Sequence, residues 1–309
     1  MQDILTIGSA LIDIFIKSPH FEIEKSATGA KLCQMYGEKL EVSSFEVRTG
    51  GGGSNTAVGF ARAGFSVASI TETGNDVFSG VILDEFHKEF VSTRFVAQER
   101  KEQTGGSVIL VGSDGGRTVM VHRGASSLLD PRDIPVVSLR DCKWVHLSSI
   151  AGRLETLQTI GDALQTSTGY MSWNPGRGEL ELLKTGRLRI QDMPCKIMFC
   201  NKTEWQSISA LQQQILENVG EVIVTDGSSP GVVYLGAALS DAIEFTPPQS
   251  EAVDETGAGD GFAVGYVTGR LYGKEPAEAL EWGLKNAQSV IQYYGAKEGL
   301  LTQAQMALA

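Results

Sequence analysis

Short apolar runs alternate along the chain with longer segments that have the period of an amphipathic helix, and this alternation most limits the possible folds. The pattern is typical of an α/β domain with a mostly parallel sheet and helices on both of its faces. The predicted strands are Ile4–Gly8, Val67–Thr71, Trp144–Ser148, Tyr170–Asn174, Ile197–Cys200 and Val222–Thr225. The predicted helices are Phe78–Phe90, Glu155–Gln165, Thr203–Glu217 and Pro276–Tyr293.

Two regions interrupt this rhythm. Ser107–Val111 and Thr118–His122 flank the sequence Asp114-Gly-Gly116, which predicts a β-hairpin with a glycine-rich turn. Leu11–Ile16 and Lys39–Arg48 also favour strands over helix. Together these strands, from about residues 11–48 and 105–123, predict a small separate sheet, which could serve as a lid over a cleft or as a dimerisation sheet.

Composition excludes several classes of protein. The chain has 309 residues and is 42% hydrophobic, which suffices for one large domain spanning residues 1–309. Its net charge of −11, with no basic stripe, argues against a nucleic-acid partner. No stretch reaches the length of a membrane span, and the N-terminus lacks the features of a secretory signal. The four cysteines form no C-x-x-C pair, which favours free thiols in a reducing cytoplasm over disulfides or zinc.

The segment Val253-Asp-Glu-Thr-Gly-Ala-Gly-Asp-Gly-Phe262 carries the strongest functional signal. A Gly-Ala-Gly turn leads into Asp260 and then into a helical run with glycines every four residues, at Gly261, Gly265 and Gly269. The free amides of such a helix start, together with the helix dipole, favour a bound phosphate. A carboxylate beside that phosphate is suited to accept a proton from an attacking hydroxyl, although a plain N-cap would also explain Asp260.

This segment resembles the C-terminal signature of the ribokinase-like carbohydrate kinases, the phosphofructokinase-B family. The glycine-rich block Gly50-Gly-Gly-Gly-Ser-Asn-Thr-Ala-Val-Gly-Phe-Ala-Arg-Ala-Gly64 is similar to the second signature of that family. The opening Ile7-Gly-Ser-Ala-Leu-Ile-Asp13 also resembles the first strand of the family and its substrate aspartate. The resemblance implies a ribokinase-like three-layer sandwich with a small β-sheet lid, and an enzyme that phosphorylates a hydroxyl with ATP.

The resemblance implies roles for the residues around the C-terminal signature. Asp260 would be the catalytic base, and the amides of Gly257, Ala258 and Gly259 would form the anion hole for the transferring phosphoryl group. Asp254, with the Thr256 carbonyl beside it, matches the position at which many members hold a monovalent cation, so potassium dependence is expected.

For the acceptor, the resemblance implies that Asp13 and Asn55 hydrogen-bond sugar hydroxyls, while Gly51 and Gly52 let the ligand approach the backbone. Asp13 could instead be a turn aspartate. Ribokinases proper usually have a lysine within the glycine block, where this chain has Gly52, and this departure counts against ribose itself. Arg123 leaves the predicted hairpin toward the cleft and could contact substrate or act as a solvated hinge residue.

For the nucleotide, Asn201-Lys-Thr-Glu204 looks like the N-x-x-E motif of the family, in which the glutamate orients a hydrated Mg²⁺. A helix cap is the alternative interpretation. The remaining expected contacts with ATP are Asn174, Thr225, Gly227 and Asn286, and Asn286 would equally fit a surface position on a helix.

Rival functions have less support. The first strand lacks the G-x-G-x-x-G turn of dinucleotide-binding oxidoreductases, and no Walker-type phosphate loop occurs. A non-catalytic regulator would be expected to have lost Asp260 or the anion-hole glycines, which are all present. A free sugar is the favoured acceptor, and a nucleoside is the alternative if Phe15, Phe45 and Met120 form a wall for its base. A homodimer through the small sheet is a further expectation from the resemblance.

Overall fold

A nine-stranded sheet lies at the centre of the computed structural model, which describes residues 2–26, 29–112, 114, 116–240 and 242–308. The strands, numbered in chain order, are β1 Ile4–Ile7, β2 Leu11–Lys17, β3 Glu22–Ser26, β4 Gly29–Cys33, β5 Ser44–Gly50, β6 Val67–Gly74, β7 Ser92–Glu99, β8 Gly106–Val111, β9 Arg117–His122, β10 Trp144–Leu147, β11 Tyr170–Trp173, β12 Cys195–Asn201, β13 Glu221–Asp226, β14 Ser229–Tyr234 and β15 Ala242–Phe245. The helices are α1 Gly52–Arg62, α2 Val77–Lys88, α3 Val136–Asp141, α4 Leu154–Gln165, α5 Arg177–Lys184, α6 Lys202–Ser207, α7 Gln212–Asn218, α8 Ala258–Leu271, α9 Pro276–Val290 and α10 Gln303–Ala307.

The central sheet has the strand order β15-β14-β13-β12-β11-β10-β1-β6-β7. All pairs from β7 to β13 are parallel, and β14 and β15 extend the sheet in antiparallel fashion. The loops that follow the parallel strands therefore gather along one edge, which is where open α/β sheets bind their ligands.

Two hydrophobic clusters fill the space on the two faces of this sheet. Leu139, Leu157 and Trp205 anchor helices of the α3–α7 layer in one cluster. Phe60 and other buried side chains of α1, α2, α8 and α9 belong to the second cluster. Neighbouring residues of β1 point to opposite faces, so that Ile4 joins one cluster and Leu5 the other. The predicted α/β architecture of helices on both sides of a mostly parallel sheet is thus confirmed.

A second sheet, here called the small sheet, contains four strands in the order β5-β2-β8-β9. These are the strands predicted from the two regions that break the helical rhythm, including the hairpin of β8 and β9. Of the predicted turn, Gly115 lies outside the described residues. The separate hairpin of β3 and β4 was not predicted.

Two predicted elements were wrong in extent. The helix predicted over Thr203–Glu217 is divided into α6, a 3₁₀ turn at Ser209–Leu211, and α7. It breaks where the Ser207 hydroxyl donates to the Glu204 carbonyl and Ile208 becomes buried. The strand predicted over Lys39–Arg48 begins only at Ser44, because its partner β2 ends at the residue paired with Ser44. The strands β7, β14 and β15 were not predicted.

Three glycines let α8 pack closely against α9. A Cβ on Gly265 would lie 2.4 Å from the Trp282 carbonyl oxygen, and one on Gly269 would lie 2.8 Å from the Cα of Ala279. A Cβ on Gly261 would lie 2.9 Å from a methyl group of Val290. These separations are too short for real contacts, so the small-residue stripe predicted from the sequence is confirmed as a helix-packing surface.

One buried lysine ties together three segments that surround the carboxyl edge of the sheet. Lys297 follows α9, and its side chain is only 6% exposed. Its ammonium group donates to Thr49 Oγ1 of β5 at 2.7 Å and to Ser54 Oγ of α1 at 2.6 Å, and it pairs with Glu85 of α2. Burial lowers the pKa of Lys297, whereas the charge of Glu85 raises it. The small sheet, α1 and α2 are therefore joined through the ammonium group of Lys297.

We expect Lys297→Ala to destabilise the protein by about 3 kcal/mol, because removing one partner of a buried ion pair leaves the other uncompensated. The measurement is the free energy of unfolding from urea titration. Lys143→Ala is the matched control, since Lys143 is 66% exposed where it pairs with Asp3, and exposed pairs contribute at most about 1 kcal/mol. Equal losses in the two variants would contradict this prediction.

Candidate active site

The N-termini of α1 and α8 face each other at the carboxyl edge of the central sheet, and one hydrogen bond joins them. Asn55, in the first turn of α1, donates from Nδ2 to Asp260 Oδ2 of α8 at 2.7 Å. Gly52, the first residue of α1, lies so close that an added Cβ would be 3.5 Å from Asp260 Oδ1. The positive ends of two helix dipoles therefore meet at one carboxylate.

The turn before α8 requires glycine for both conformation and space. Gly257 has a φ of 78°, in the left-handed region, and a Cβ there would lie 2.3 Å from the Cβ of Ala296. A Cβ on Gly259 would meet nothing within 4 Å, so this part of the turn faces open space. Gly257, Ala258 and Gly259 stand at the start of a helix of fourteen residues, whose first amides have no acceptor within the helix, although the Ala258 amide donates to the Glu255 carbonyl at 3.2 Å. The turn is therefore suited to an anion.

The pKa of Asp260 lies above that of an exposed aspartate. Burial raises the pKa of Asp260, whereas the hydrogen bond from Asn55 and the charge of Lys297 lower it. A carboxylate tuned upward in this way is a better proton acceptor near pH 7 than one at its ordinary value.

Asp13 approaches from the small sheet. It is 7% exposed, and its Oδ1 accepts a hydrogen bond from the Ser107 hydroxyl of the neighbouring strand. Gly50 leaves room for this carboxylate, because a Cβ there would overlap Asp13 Oδ2. Burial raises the pKa of Asp13, while Ser107 and Lys297 lower it.

The glycine block between Asp13 and Asp260 is packed against backbone. Gly51 caps α1 with a φ of 93°, and a Cβ there would lie 2.5 Å from the Ser9 carbonyl oxygen. A Cβ on Gly52 would lie 2.9 Å from both Cβ and Oγ of Ser148. Ser148, at the end of β10, thus leaves no space for a lysine at position 52. The hydroxyl of Ser148 is buried and has no hydrogen-bond partner within the described part of the chain.

A cleft of about 300 Å³ opens beside the glycine turn that precedes α8. Ala258 and Gly259 line it, as do Thr225, near the end of β13, and Gly227, which follows that strand. The rest of its lining is mainly apolar and includes Phe245, Pro247, Pro248, Phe262, Leu284, Ala287 and Ile291. Such a cleft can take a flat apolar group at one end and an anion at the other.

The N-x-x-E motif forms a complete capping box at the start of α6. Asn201 Oδ1 accepts from the Glu204 amide at 2.9 Å, and Glu204 Oε2 accepts from the Asn201 amide at 2.8 Å. Burial raises the pKa of Glu204, and the bonds to Asn201 lower it. Lys202 neutralises Asp226 across a distance of 2.7 Å, which removes the repulsion that this aspartate would otherwise exert on a triphosphate.

Asp254 has a different environment from the one expected for a potassium ligand. Its Oδ1 accepts from the Thr256 amide at 3.0 Å, from the Thr256 hydroxyl at 2.7 Å and from the guanidinium of Arg117, and its Oδ2 accepts from the Gly295 amide at 3.0 Å. Burial alone would raise the pKa of Asp254, but the bonds from Gly295 and Thr256 and the charge of Arg117 lower it. A cationic side chain thus binds the carboxylate oxygen at which a potassium ion was expected, which disfavours potassium there.

Asn286, which was predicted to contact ATP, does not line the cleft. Its side chain is 0% exposed, donating from Nδ2 to the Gly261 carbonyl at 2.7 Å and accepting at Oδ1 from the Leu301 amide at 2.8 Å. Asn286 therefore joins α9 to α8 and to the C-terminal segment. The side chains of α9 that line the cleft belong to Leu284, Ala287, Gln288 and Ile291.

Two further predicted contacts, Arg123 and Asn174, follow strands of the two sheets. Arg123 is exposed just after β9, and Asn174 is half-buried directly after β11, at the carboxyl edge of the sheet. The backbone amide of Asn174 donates to the Leu147 carbonyl at 2.8 Å, which fixes the start of this loop.

Sequence reasoning missed three residues of the site: Arg117, Ser148 and Lys297. None belongs to a recognisable motif, and each comes from a segment distant in sequence from the residue that it contacts. The only signals in the sequence were that Arg117 directly precedes a predicted strand and that Ser148 ends one, and Lys297 had none.

Comparison with known proteins identifies the family of the chain. The model of the pfkB family carbohydrate kinases matches residues 1–303. An uncharacterised sugar kinase of Archaeoglobus fulgidus is 28% identical over 253 residues, covering 79% of this chain and 98% of the relative. A fructokinase of Escherichia coli is 28% identical over 242 residues, covering 71% of this chain and 76% of the relative.

Solved structures share the fold. The nucleoside kinase of Methanocaldococcus jannaschii, an archaeal member of the ribokinase family, has a TM-score of 0.80 at 20% identity and covers 98% of this chain and 96% of its own. An E. coli protein described as a ribokinase II, in complex with ATP and Mg²⁺, has a TM-score of 0.77 at 18% identity and covers 99% and 98%. The predicted ribokinase-like fold is confirmed. Among the described residues, no helix is both long and apolar enough to cross a bilayer.

We expect Asn55→Ala to raise the pKa of Asp260, because the lost hydrogen bond stabilises the ionised carboxylate. The measurement is an NMR titration of protein labelled at aspartate Cγ, with the signal of Asp260 assigned from its loss in Asp260→Asn. Asn218→Ala, which removes an exposed amide bonded to the Gln214 carbonyl, is the control and should leave the titration unchanged. A pKa of Asp260 that is unchanged or lower in Asn55→Ala would contradict the geometry.

Proposed function

Because the chain belongs to the pfkB family of carbohydrate kinases, we propose that it transfers the γ-phosphoryl group of ATP to a hydroxyl of a small free sugar, ribose-like or another monosaccharide. The observation that carries this proposal is the meeting of two helix N-termini at Asp260, with Asn55 holding the carboxylate and the amides of Gly257–Gly259 beside it. A proton acceptor next to an anion site is what phosphoryl transfer requires.

The cleft on one side of the anion-binding turn would hold ATP. Its apolar residues, among them Phe245, Pro247 and Leu284, suit the base, and Thr225 and Gly227 line the same cleft. Glu204, with one carboxylate oxygen bonded to the Asn201 amide, is suited to orient the water shell of Mg²⁺. The metal would neutralise phosphate charge when bound. The potassium ion expected at Asp254 and Thr256 remains a prediction, which the ion pair with Arg117 disfavours.

Asp260 would accept the proton of the acceptor hydroxyl as its oxygen forms a bond to the γ-phosphorus and the bond from that phosphorus to the β–γ bridging oxygen breaks. The products are the sugar phosphate and ADP. The amides of Gly257, Ala258 and Gly259 would stabilise charge on the transferring group. Asp13 and Asn55 would orient the sugar hydroxyls, with Gly51 and Gly52 at its backbone side.

A free sugar is better supported than a nucleoside. Asp13 and Phe15 share one face of β2, and Ile14 and Ile16 lie on the other. Phe45 pairs with Ile16. Met120 pairs with Val108, which in turn pairs with Ile14. Phe45 and Met120 therefore lie on the face of the small sheet away from Asp13, and Phe15 is buried against Tyr294. These residues do not supply the wall that a nucleoside base would need. A nucleoside acceptor remains the alternative, and a non-catalytic binding protein the distant one.

The face of the small sheet that carries Asp13 suits a lid, because Arg117 on the same face bonds to Asp254 of the main body. Such a lid would exclude water and limit wasteful hydrolysis of ATP. A cytoplasmic location is in keeping with the four cysteines, all free and three of them buried.

We expect Asp260→Asn to reduce turnover by at least about a thousandfold while leaving ATP binding largely intact, because the amide cannot accept the proton. The assay is coupled ADP release with ATP and Mg²⁺ against a panel of free sugars and nucleosides, with ATP binding measured by calorimetry. Turnover confined to nucleosides would replace the sugar proposal. Unchanged turnover in the variant would remove Asp260 from the role of base.

We further propose that two copies associate through the outer face of the small sheet. Phe45, Val47 and Met120 are 62%, 42% and 52% exposed there, an apolar surface that a second copy would cover. Phe45→Glu should therefore yield a monomer in light scattering, because association would bury the new charge. Phe78→Glu on α2, where Phe78 is 39% exposed, is the control and should keep the wild-type mass. A wild-type monomer would contradict the proposal.

A further inference from the structure

Arg117 stands at the start of β9, the outer strand of the small sheet, and reaches the turn that precedes α8. The register of β8 and β9 pairs Arg117 with Val111, which pairs with Lys17, so Arg117 lies on the same face of the small sheet as Asp13. Its guanidinium donates to Asp254 Oδ1 and, at 3.1 Å, to Thr256 Oγ1. No other ion pair of Asp254 is found among the described residues.

The bond is placed where it can affect the anion-binding turn. Asp254 holds the backbone of Thr256 directly, and Thr256 precedes the left-handed Gly257. The other oxygen of Asp254 holds the Gly295 amide, next to the Ala296 against which Gly257 packs. Asp254 is thus the hub of the turn, and its side chain is only 2% exposed. A buried carboxylate requires a compensating cation.

We propose that the Arg117 guanidinium permanently supplies the positive charge that balances the Asp254 carboxylate. The enzyme then needs no monovalent metal ion to form its anion-binding turn. The inference rests on the proposed kinase function and adds a positioning residue to it. Arg117 acts through Asp254 and Thr256. A potassium ion at Asp254 would have to share an oxygen that already accepts three hydrogen bonds, and the guanidinium would repel it.

The first test needs neither ATP nor acceptor. The melting temperatures of the wild type and of Arg117→Ala are compared in KCl and in tetramethylammonium chloride at equal concentration. The wild type should melt at the same temperature in both salts, because its hub is already neutralised. Arg117→Ala should melt lower in tetramethylammonium chloride and recover part of the loss in KCl, since potassium can enter the vacated position.

The second test measures turnover in the same two salts, with whichever sugar of the acceptor panel is phosphorylated. Wild-type kcat should not depend on the cation. Arg117→Ala should lose about tenfold in kcat in tetramethylammonium chloride, the effect expected from removing a hydrogen bond to a charged group, and should regain activity in KCl. Arg117→Lys, which keeps a cation, should show no potassium activation.

Arg189→Ala is the matched control. Arg189 forms a two-point ion pair with Asp192 before β12, at the opposite edge of the central sheet. This variant should match the wild type in kcat and in its insensitivity to potassium.

Two results would overturn the proposal. One is a potassium-specific rise in the melting temperature or kcat of the wild type, which decides the matter even if Arg117→Ala does not fold. The other is an Arg117→Ala variant that cannot be distinguished from Arg189→Ala in either salt. If no acceptor on the panel is phosphorylated, the proposed sugar specificity fails, and the melting temperatures still decide the role of Arg117.

Discussion

The close approach of α8 to its neighbours is the constraint on which the active site depends. Gly265 and Gly269 bring its backbone against α9, and Gly59 of α1 leaves space for Val264 on its other side. Because these contacts are made by backbone and small side chains, α8 has little freedom to shift along its axis. Its N-terminus is therefore held opposite the N-terminus of α1, at the separation that lets Asn55 bond Asp260.

The electrostatics of the site follow from placing several carboxylates in a small, poorly hydrated space. Burial, and to a smaller extent the nearby Asp254, raises the pKa of Asp13. Two cations oppose this accumulation of negative charge: Lys297 acts on Asp13 and Asp260, and Arg117 acts on Asp254. Each comes from a segment that carries no catalytic group, so the charge balance of the site is a property of the assembled molecule.

The two faces of the small sheet differ because successive residues of a strand point to opposite sides. Along β2, Asp13 and Phe15 lie on one face, and Ile14 and Ile16 lie on the other, where Ile14 packs against the cluster that contains α1 and α2. The first face carries the Asp13 carboxylate, the Ser107 hydroxyl and Arg117, while the second face is apolar and partly exposed. A shift of one residue in the register of any of these strands would exchange the faces.

The sequence by itself determined the α/β class, most strands of the central sheet, the small sheet and the glycine-rich helix start at Asp260, because each depends on local period, turn chemistry or a contiguous motif. It could not determine the division of the helix predicted over 203–217, since burial of Ile208 and a hydrogen bond from Ser207 outweigh the helical period there. It also misassigned Asn286, whose two polar groups are bonded within the helix layer. Only the tertiary structure decided that the guanidinium of Arg117 binds the carboxylate of Asp254. The same holds for Lys297, whose buried ammonium group binds Thr49 and Ser54 next to the site. Arg117 lies 137 positions from Asp254, and Lys297 lies 243 positions from Ser54, and no local pattern specifies such pairs.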